Sequence, residues 1–397
     1  MATHVEIPTS LSLDELRELI ATWLHIPPED SEAIDFVLAV YVSNRIPGDP
    51  LWGLLIDASG GGKTEHLRSL RRHQDAYFLS SLTENSLISG YRDRHNPQDP
   101  SLLPKLHGKV LIIKDLSPLL SMRRESRNKI LADLRDTYDG FTDQGKGNLG
   151  CIRYEAKFSV LAASTLAVER FGAMDQELGE RFVKFRMRSN QTDEKVRQAI
   201  RNVGRDDSMR IKVEEAVLRF LDSIPRQPAI RLPEEFVEPL TIISDFTATA
   251  RSYVARDRNH NIQYKPRPEV GTRLGKELVK LGLALAVIRG KETPDEQELR
   301  SVARVAEDCL PPNRLAVLRA LRLASGPLST TQLANITSLP WSTVKQTLED
   351  LEVLGIVARK SDKLPGHLQG IEDDNPQWQI QTSWLQKLQG VPMLCGS

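Results

Sequence analysis

The sequence predicts an α/β protein with a mostly parallel β-sheet in its N-terminal half, followed by a helical region and a compact C-terminal module. Three observations lead to this prediction. Short apolar runs alternate with helical patterns between residues 49 and 190, as in a parallel sheet covered by helices. A glycine-rich turn follows the first of these runs. Residues 313–390 then hold three short helical patterns and two strand-like runs.

Composition divides the chain into five segments. They are predicted as an N-terminal helical segment (1–48), an α/β core (49–190), a helical region (191–312), a C-terminal module (313–390) and a frayed tail (391–397). The first segment holds eight acidic and two basic residues, whereas the rest of the chain is mildly basic, so that all 397 residues together carry no net charge. A neutral chain has no global basic field, and any contact with DNA must therefore come from a few placed residues.

The cysteines and the N-terminus argue against several classes of protein. Cys151, Cys309 and Cys395 lie far apart without a Cys-x-x-Cys pair, so a zinc framework is not expected. The first residues lack the basic and apolar layout of a signal peptide, and no apolar run reaches the length of about 20 residues that spans a bilayer. We therefore expect a soluble cytoplasmic protein that does not enter a membrane.

Apolar spacing predicts the individual strands and helices. The predicted buried strands are Leu51–Ile56, Ala76–Leu79, Val110–Ile113 and Phe158–Ala163. The predicted helices cover residues 13–24, 31–44, 63–72, 124–138 and 273–289. Asp30 or Ser31 is the expected N-cap of the second helix.

The strongest functional signal is the segment from Leu51 to Glu65, in which a predicted strand runs through three glycines and Lys63-Thr64 into a helix. Glycines let backbone N–H groups turn inward around a phosphate, the lysine contacts the β- and γ-phosphates, and the threonine hydroxyl ligates Mg²⁺. The sequence therefore predicts a site for ATP and Mg²⁺. Its expected nucleotide-binding residues are Ser59, Gly60, Gly61, Gly62, Lys63, Thr64 and Glu65.

Asp57 is a departure from the phosphate-loop pattern, because it occupies the position of the first glycine in GxxxxGK[ST]. We expect its side chain to turn away from the phosphates. The alternative is a glycine-rich turn in which the Lys-Thr pair is incidental.

A second strand that ends in a carboxylate is expected beside the first one. The apolar run 110–113 leads to Asp115, which resembles the metal-binding aspartate of a Walker B strand. The general base of such a site usually follows this aspartate directly, but here the next residue is Leu116. Glu65 is the first candidate for a displaced base, and Glu84 and Asp139 are further candidates.

Together these segments resemble the AAA+ ATPases, over roughly residues 30–310. The resemblance implies ATP hydrolysis by a ring or open homo-oligomer in which the helical region is a lid. Residues 158–165 resemble the sensor 1 strand, which implies that Thr165, or its neighbour Ser164, faces the γ-phosphate. A glycine-rich segment resembles the hairpin with which helicase-type members contact DNA, and Lys146 lies at its expected tip.

The same resemblance implies roles for two arginines. A Gly-Glu-Arg-Phe sequence is similar to the arginine-finger segment, so that Arg181 would act on the ATP of a neighbouring subunit. An ion pair with Glu177 or Glu180 is the alternative for this arginine. A Thr-Arg-Leu sequence resembles the start of a lid helix with a sensor 2 arginine, which implies a role for Arg273 or, alternatively, Arg267.

The C-terminal module resembles a winged-helix domain. Its predicted elements are helices over 313–323, 330–336 and 341–354 and wing strands over 356–360 and 377–381. In such domains the start of the third helix contacts bases in the major groove, and the wing contacts phosphates. The expected DNA-binding residues are Ser342, Thr343, Lys345, Gln346, Arg359 and Lys360. Since the second half of the third helix is acidic, a protein-docking module is the alternative.

The sequence thus predicts an Mg²⁺-dependent AAA+ ATPase that remodels or unwinds DNA, as a helicase, a helicase loader or a replication initiator of a mobile element. Two alternatives stay open: an ATP-controlled winged-helix transcription regulator, and an ATP-binding scaffold that hydrolyses little. DNA and further copies of the chain are the expected partners. A protein partner would bind the acidic N-terminal helices or the winged helix.

Overall fold

The computed structural model of the chain describes residues 11–89, 100–146, 150–171, 181–188, 192–360 and 376–394. The chain forms two compact units. Unit 1 comprises residues 1–232 and 279–298, and unit 2 comprises residues 233–278 and 299–397. The five segment bounds inferred from composition stay a prediction.

Unit 1 is built on a five-stranded parallel sheet, which confirms the predicted α/β class. Its strands are β1 (Trp52–Ile56), β2 (Ala76–Leu79), β3 (Val110–Ile113), β4 (Phe141–Lys146), β5 (Gly150–Glu155), β6 (Ser159–Ser164) and β7 (Phe182–Arg186). The sheet has the order β2-β3-β6-β1-β7, and every neighbouring pair in it is parallel. β4 and β5 form a separate antiparallel pair.

The position of β6 corrects one expectation. The strand that precedes Asp115 does not lie beside β1, because β6 is inserted between β1 and β3 and pairs with both. Val160 of β6 is aligned with Trp52 on one side and with Leu111 on the other. Since all three strands are parallel, their carboxyl ends open on the same edge of the sheet.

The edge strand β7 is missing from the prediction because charged residues interrupt it. Buried parallel strands usually form continuous apolar runs, whereas Lys184 and Arg186 alternate with apolar residues in β7. Both charged side chains are nevertheless buried, and Arg186 Nε donates to the Glu169 carboxylate at 2.9 Å. This hydrogen-bonded pairing lets the strand carry a buried charge.

Unit 1 contains the four helices predicted before residue 140, of which α6 has the predicted bounds and the other three have shifted ends, together with further helices that were not predicted one by one. In its described part they are α1 (Leu13–Trp23), α2 (Ala33–Val42), α3 (Lys63–Arg68), α4 (Leu103–Leu106), α5 (Ser117–Leu120), α6 (Arg124–Tyr138), α7 (Thr192–Asn202) and α8 (Asp206–Ser223). α3 ends earlier than predicted, and α2 begins later, so that Asp30 and Ser31 are not its N-cap. Asp30 instead lies in a 3₁₀ turn and accepts a hydrogen bond from the Arg188 N–H at 2.7 Å.

The pair β4–β5 confirms the predicted hairpin. It extends from the pair Phe141–Glu155 to the pair Lys146–Gly150. Residues 147–149, at the expected tip, and the side chain of Lys146 lie outside the described residues. The role predicted for Lys146 therefore stays a prediction.

Unit 2 contains the C-terminal module and part of the helical region that precedes it. The helices after α8 are α9 (Val237–Arg251), α10 (Thr272–Ile288), α11 (Glu296–Asp308), α12 (Pro312–Leu323), α13 (Thr330–Thr337), α14 (Trp341–Val353) and α15 (Thr382–Lys387). Residues 279–298, which include parts of α10 and α11, belong to unit 1. The strands β8 (Leu328–Ser329), β9 (Val357–Lys360) and β10 (Gln377–Ile380) form an antiparallel sheet in the order β8-β10-β9. The predicted helices and wing strands of this module are confirmed. None of the helices in the described part of the chain is both long enough and apolar enough to cross a bilayer.

A buried ion network joins α1 and α2 to residues 279–298 of unit 1. Asp35 is fully buried and accepts hydrogen bonds from Arg17 Nε at 2.8 Å and from Arg289 Nη2 at 3.0 Å. Arg289 Nη1 also donates to the buried Glu298 at 2.8 Å. Because these charges are withdrawn from water, the loss of one partner leaves the remaining buried charges less fully compensated.

We therefore expect Asp35→Asn to lower the free energy of unfolding by about 3 kcal/mol, the low end for a broken buried pair, since it removes the buried carboxylate that Arg17 and Arg289 share while Glu298 still pairs with Arg289. Urea denaturation of the full chain measures this change. Asp14→Asn is the matched control, because Asp14 pairs with the same Arg17 but its side chain is 82% exposed. This control is expected to cost at most about 1 kcal/mol, and equal losses in the two variants would contradict the account.

Candidate functional site

The loop between β1 and α3 has the backbone of a phosphate cradle. Gly60 and Gly62 have φ values of 81° and 98°, a region that glycine enters without steric cost. The loop is closed by a hydrogen bond from the Gly61 N–H to the Ala58 carbonyl at 3.3 Å. Ser59 and Gly60 are exposed, as is Thr64 in the first turn of α3.

Lys63 is folded onto the backbone of this loop. Its Nζ donates to the carbonyl oxygens of Asp57 at 2.9 Å and Ala58 at 2.6 Å. Burial lowers the pKa of the Lys63 ammonium below its ordinary value, while the carboxylates of Asp57 and Asp115 oppose this shift. The lysine therefore lies within electrostatic range of the predicted metal-binding aspartate.

Asp57 occupies the position of the first glycine in the phosphate-loop pattern, and its side chain is buried beneath the glycines of the loop. Its Oδ1 accepts a hydrogen bond from the Ala58 N–H at 2.7 Å. Its Oδ2 is buried and has no hydrogen-bond partner among the described residues. The carboxylate lies so close to Gly61 that a Cβ at this position would collide with it. The position of the Asp57 side chain therefore leaves room only for glycine at position 61.

The carboxyl ends of β1, β6 and β3 bring three predicted residues together. The Asp57 N–H donates to the Ser164 carbonyl at 3.3 Å, and the Leu116 N–H donates to the Ala163 carbonyl at 2.8 Å. Ser117 then links the two sides, because its N–H donates to Asp115 Oδ1 at 2.8 Å and its Oγ lies 3.4 Å from Thr165 Oγ1.

Lys63, Asp115 and Thr165 therefore lie at one edge of the sheet, as predicted. Ser164, the alternative to Thr165, has a buried hydroxyl at the end of β6, whereas Thr165 is half-buried at the surface of this edge. Thr165 is consequently the better placed of the two to contact a ligand on the loop.

The candidates for a general base differ in their surroundings. Leu116 is buried, and Glu65 is bound by Arg210 of α8, with Nη2 to Oε1 at 2.9 Å. Glu84 is exposed, and Asp139 follows the end of α6. In the described part of the chain, no hydrogen bond or ion pair joins the carboxylate of Glu65, Glu84 or Asp139 to the phosphate loop or to Asp115. Their catalytic role stays a prediction.

The two arginines implied by the family resemblance have local partners. Arg181 lies over the ring of Tyr138, with its Cζ 5.1 Å from the ring centroid. The alternative partners Glu177 and Glu180 lie outside the described residues. Arg273 is in the first turn of α10 and pairs with Glu269 at 3.7 Å.

A cavity of about 250 Å³ adjoins the phosphate loop and was not predicted from the sequence. Its apolar wall comes from the end of α1, the segment that follows it, and α8. The apolar residues include Ile20, Leu24, Ile26, Met209 and Val213, and the loop contributes Gly60, Gly61 and Gly62. An apolar pocket beside a phosphate loop has the layout of a site for a ligand that carries both a ring and phosphates.

Two buried polar atoms belong to residues that line this cavity. His66 Nδ1 lies 3.0 Å from the Gly62 carbonyl, which can only accept, so Nδ1 carries the proton and Nε2 is an acceptor. Burial lowers the pKa of His66, which keeps the ring neutral. His66 Nε2 and the donor Trp23 Nε1 have no hydrogen-bond partner among the described residues. A single histidine and a single tryptophan carry no sequence pattern, which explains why neither was predicted.

The second candidate site is the exposed face of α14 in unit 2. Val344, Leu348 and Leu351 are buried, which fixes one face of the helix against the module. The predicted DNA-binding residues near its start are exposed or half-buried: Ser342, Thr343, Lys345 and Gln346. Lys345 Nζ lies 5.5 Å from the ring centroid of Trp341.

The acidic half of α14 is neutralised within unit 2. Arg256 Nη2 donates to Asp350 Oδ1 at 2.7 Å and to Glu349 Oε2 at 3.2 Å, and Arg314 Nη2 donates to Asp350 Oδ2 at 3.1 Å. Glu352 pairs with Arg359 of β9 at 3.0 Å. These contacts weaken the argument that the acidic residues exclude DNA.

The wing residues differ in their freedom to bind phosphate. Arg359 is predicted to contact phosphate, but it is already paired with Glu352 and lies 5.0 Å from the ring centroid of Trp378. Lys360 is exposed beside it, with no ion pair among the described residues. Lys360 is therefore the more available cation on β9.

The fold of this module agrees with a known domain. Residues 313–361 match the IclR helix-turn-helix domain. The match covers α12, α13, α14 and β9, so α14 corresponds to the second helix of the helix-turn-helix, the one that contacts bases in domains of this type. No model of a phosphate-loop family matches the chain. A search of curated proteins found no match either.

The packing of Asp57 under the loop gives a test of the site geometry. Gly61→Ala is expected to lower the free energy of unfolding by about 1–3 kcal/mol, because the new Cβ displaces the buried carboxylate. In an Asp57→Ala background, the same change at Gly61 is expected to be neutral or to stabilise by up to about 1 kcal/mol. Thermal denaturation of the four proteins measures both effects, and an equal loss in both backgrounds would contradict the described packing.

Proposed function

We propose that this chain is a DNA-binding regulator controlled by a nucleotide. Unit 2 binds duplex DNA through its helix-turn-helix domain, and unit 1 binds ATP with Mg²⁺ at the phosphate loop. The bound nucleotide changes the affinity of the chain for DNA. The observation that carries this proposal is the match of residues 313–361 to a helix-turn-helix domain whose second helix has an exposed N-terminal half.

DNA binding is supported by the side chains and charges of α14. Its first turns present hydroxyl, amide and ammonium groups, which are the groups that hydrogen-bond to base edges in the major groove. The groups belong to Ser342, Thr343, Lys345 and Gln346. The acidic residues further along the helix are paired with arginines, so they do not leave a negative face beside the phosphates.

ATP binding is supported by the loop and by the cavity beside it. The left-handed glycines and Lys63 provide donors for phosphates, and Thr64 and Asp115 provide oxygen ligands of the kind that Mg²⁺ prefers. The apolar cavity provides room for a base, with Trp23 Nε1 as a donor and His66 Nε2 as an acceptor for its polar edge.

A DNA-remodelling ATPase is the second candidate function. It is favoured by the position of Lys63, Asp115 and Thr165 at one edge of the sheet, where a metal ion and a lysine would stabilise the charge of a transferred phosphoryl group. In this candidate Arg181 acts on a neighbouring subunit, so the active form is a homo-oligomer. We place it second, because Leu116 stands where a base is usual and Glu65 is held by Arg210. Weak hydrolysis suits a switch or an ATP-binding scaffold better than a motor.

The test is the affinity of the full chain for a duplex that it selects from a random pool, measured by fluorescence anisotropy with and without ATP and Mg²⁺. We expect ATP to change this affinity at least about fivefold in the wild type, which is the low end of typical coupling between two sites. Lys63→Ala is expected to bind the duplex but to lose the response to ATP. Lys345→Ala is expected to bind the duplex less well, by about 1–3 kcal/mol, and to keep the response.

Three outcomes separate the candidates. If the wild type does not bind the duplex, the proposal of a DNA-binding regulator is wrong. Duplex binding that does not respond to ATP would remove the nucleotide control. Rapid ATP hydrolysis that the duplex stimulates several-fold, and that Lys63→Ala abolishes, would favour the motor instead.

A further inference from the structure

The segment between α9 and α10 carries an unusual concentration of basic and aromatic residues. Residues 253–268, which we name the basic arm, contain four basic residues and one acidic residue. Two tyrosines in it are largely exposed, Tyr253 at 48% and Tyr264 at 61%. Exposed cations interleaved with exposed aromatic rings are typical of surfaces that bind nucleic acid.

Arg256 attaches the basic arm to α14, the base-contacting helix. Its guanidinium donates to the Gln346 carbonyl at 3.0 Å and to the carboxylates of Glu349 and Asp350. A β-bridge between Arg256 and Ile262 closes the arm into a loop directly after this contact. The arm is thus fixed at a defined place beside the helix.

Asp257 shapes the tip of the arm. Its Oδ1 accepts hydrogen bonds from the N–H groups of Asn259 and Asn261, each at 2.8 Å, and its N–H donates to the Asn261 carbonyl at 2.9 Å. The bond from the Asn261 N–H is the largest cause that lowers the pKa of Asp257. The carboxylate is therefore ionised and occupied within the turn, where it holds Arg258 and His260 at the exposed tip.

The remaining cations of the arm are available to a ligand. Arg258, Lys265 and Arg267 are exposed, and none of them makes a hydrogen bond or an ion pair with the residues that the structure describes. Arg256, by contrast, is already bonded to Glu349 and Asp350 in the acidic half of α14. Apart from Arg256, the arm therefore adds three exposed cations and the Asp257 carboxylate, a net charge of +2, next to a helix whose own negative charges are neutralised.

We propose that the basic arm is a second DNA-contacting surface of unit 2, which binds phosphates of the duplex whose bases α14 contacts. This inference rests on the DNA binding proposed above. The arm contributes affinity for any sequence, because contacts to phosphate do not distinguish bases. It also supplies cations that the neutral chain lacks as a whole.

The test is the salt dependence of binding by the full chain to a short duplex of random sequence, between about 50 and 200 mM salt. Each of Arg258→Ala and Lys265→Ala is expected to reduce the slope of log affinity against log salt by about 1, and the double variant by about 2. The double variant is also expected to bind roughly tenfold more weakly at the lower salt concentration. Arg258→Lys keeps the charge and is expected to restore the slope.

Lys387→Ala is the control. Lys387 is an exposed cation of the same unit, on α15, but unlike Arg258 and Lys265 it is paired within the described part of the chain, with its Nζ 4.0 Å from Asp245 and 4.7 Å from the ring centroid of Trp384. Its loss is expected to leave the slope unchanged. If the Arg258→Ala/Lys265→Ala variant keeps the wild-type slope while the wild type binds the duplex, the proposal that the arm contacts DNA is wrong. A wild type that binds no duplex would overturn the proposed function, and the arm with it.

Discussion

The parallel pairing of β6 with both β1 and β3 is the constraint on which the candidate nucleotide site depends. It places the ends of three strands at one edge of the sheet, and backbone hydrogen bonds from Asp57 and Leu116 to the end of β6 hold the loop and the Asp115 turn together. Lys63 and Thr165 come near Asp115 only because of this order. A site for phosphate and a metal ion needs such a convergence of unlike groups, which no single strand supplies.

In unit 2, the acidic residues of α14 are paired with arginines. α14, which we propose to lie against DNA, carries three acidic residues in its second half, and these would repel phosphates if they were unpaired. Arg256 and Arg314 pair with Glu349 and Asp350, and Arg359 pairs with Glu352. The hydrogen bonds offset the partial desolvation of these charges, and the contacts of Arg256 also fix the basic arm beside the helix.

Local sequence patterns predicted most elements and part of the site. These elements depend on residues that are close together in the chain. They are α6, the three helices and the wing of the C-terminal module, and the turn from β1 into α3. What could not be predicted depends on distant residues: the insertion of β6, the cavity with His66, and the pairing of Asp350 with Arg256, which lies 94 positions away. β7 was missed because its buried charges hide the apolar pattern of a strand.

The central claim is that nucleotide and DNA binding are coupled, and coupling between two binding equilibria is reciprocal. The most direct measurement is therefore the affinity of the full chain for ATP with Mg²⁺, by calorimetry, in the absence of DNA and with a saturating amount of the selected duplex. The account predicts that the duplex changes the affinity for ATP by the same factor, at least about fivefold, by which ATP changes the affinity for the duplex. An affinity for ATP that the duplex leaves unchanged, or no binding of ATP at all, would contradict it.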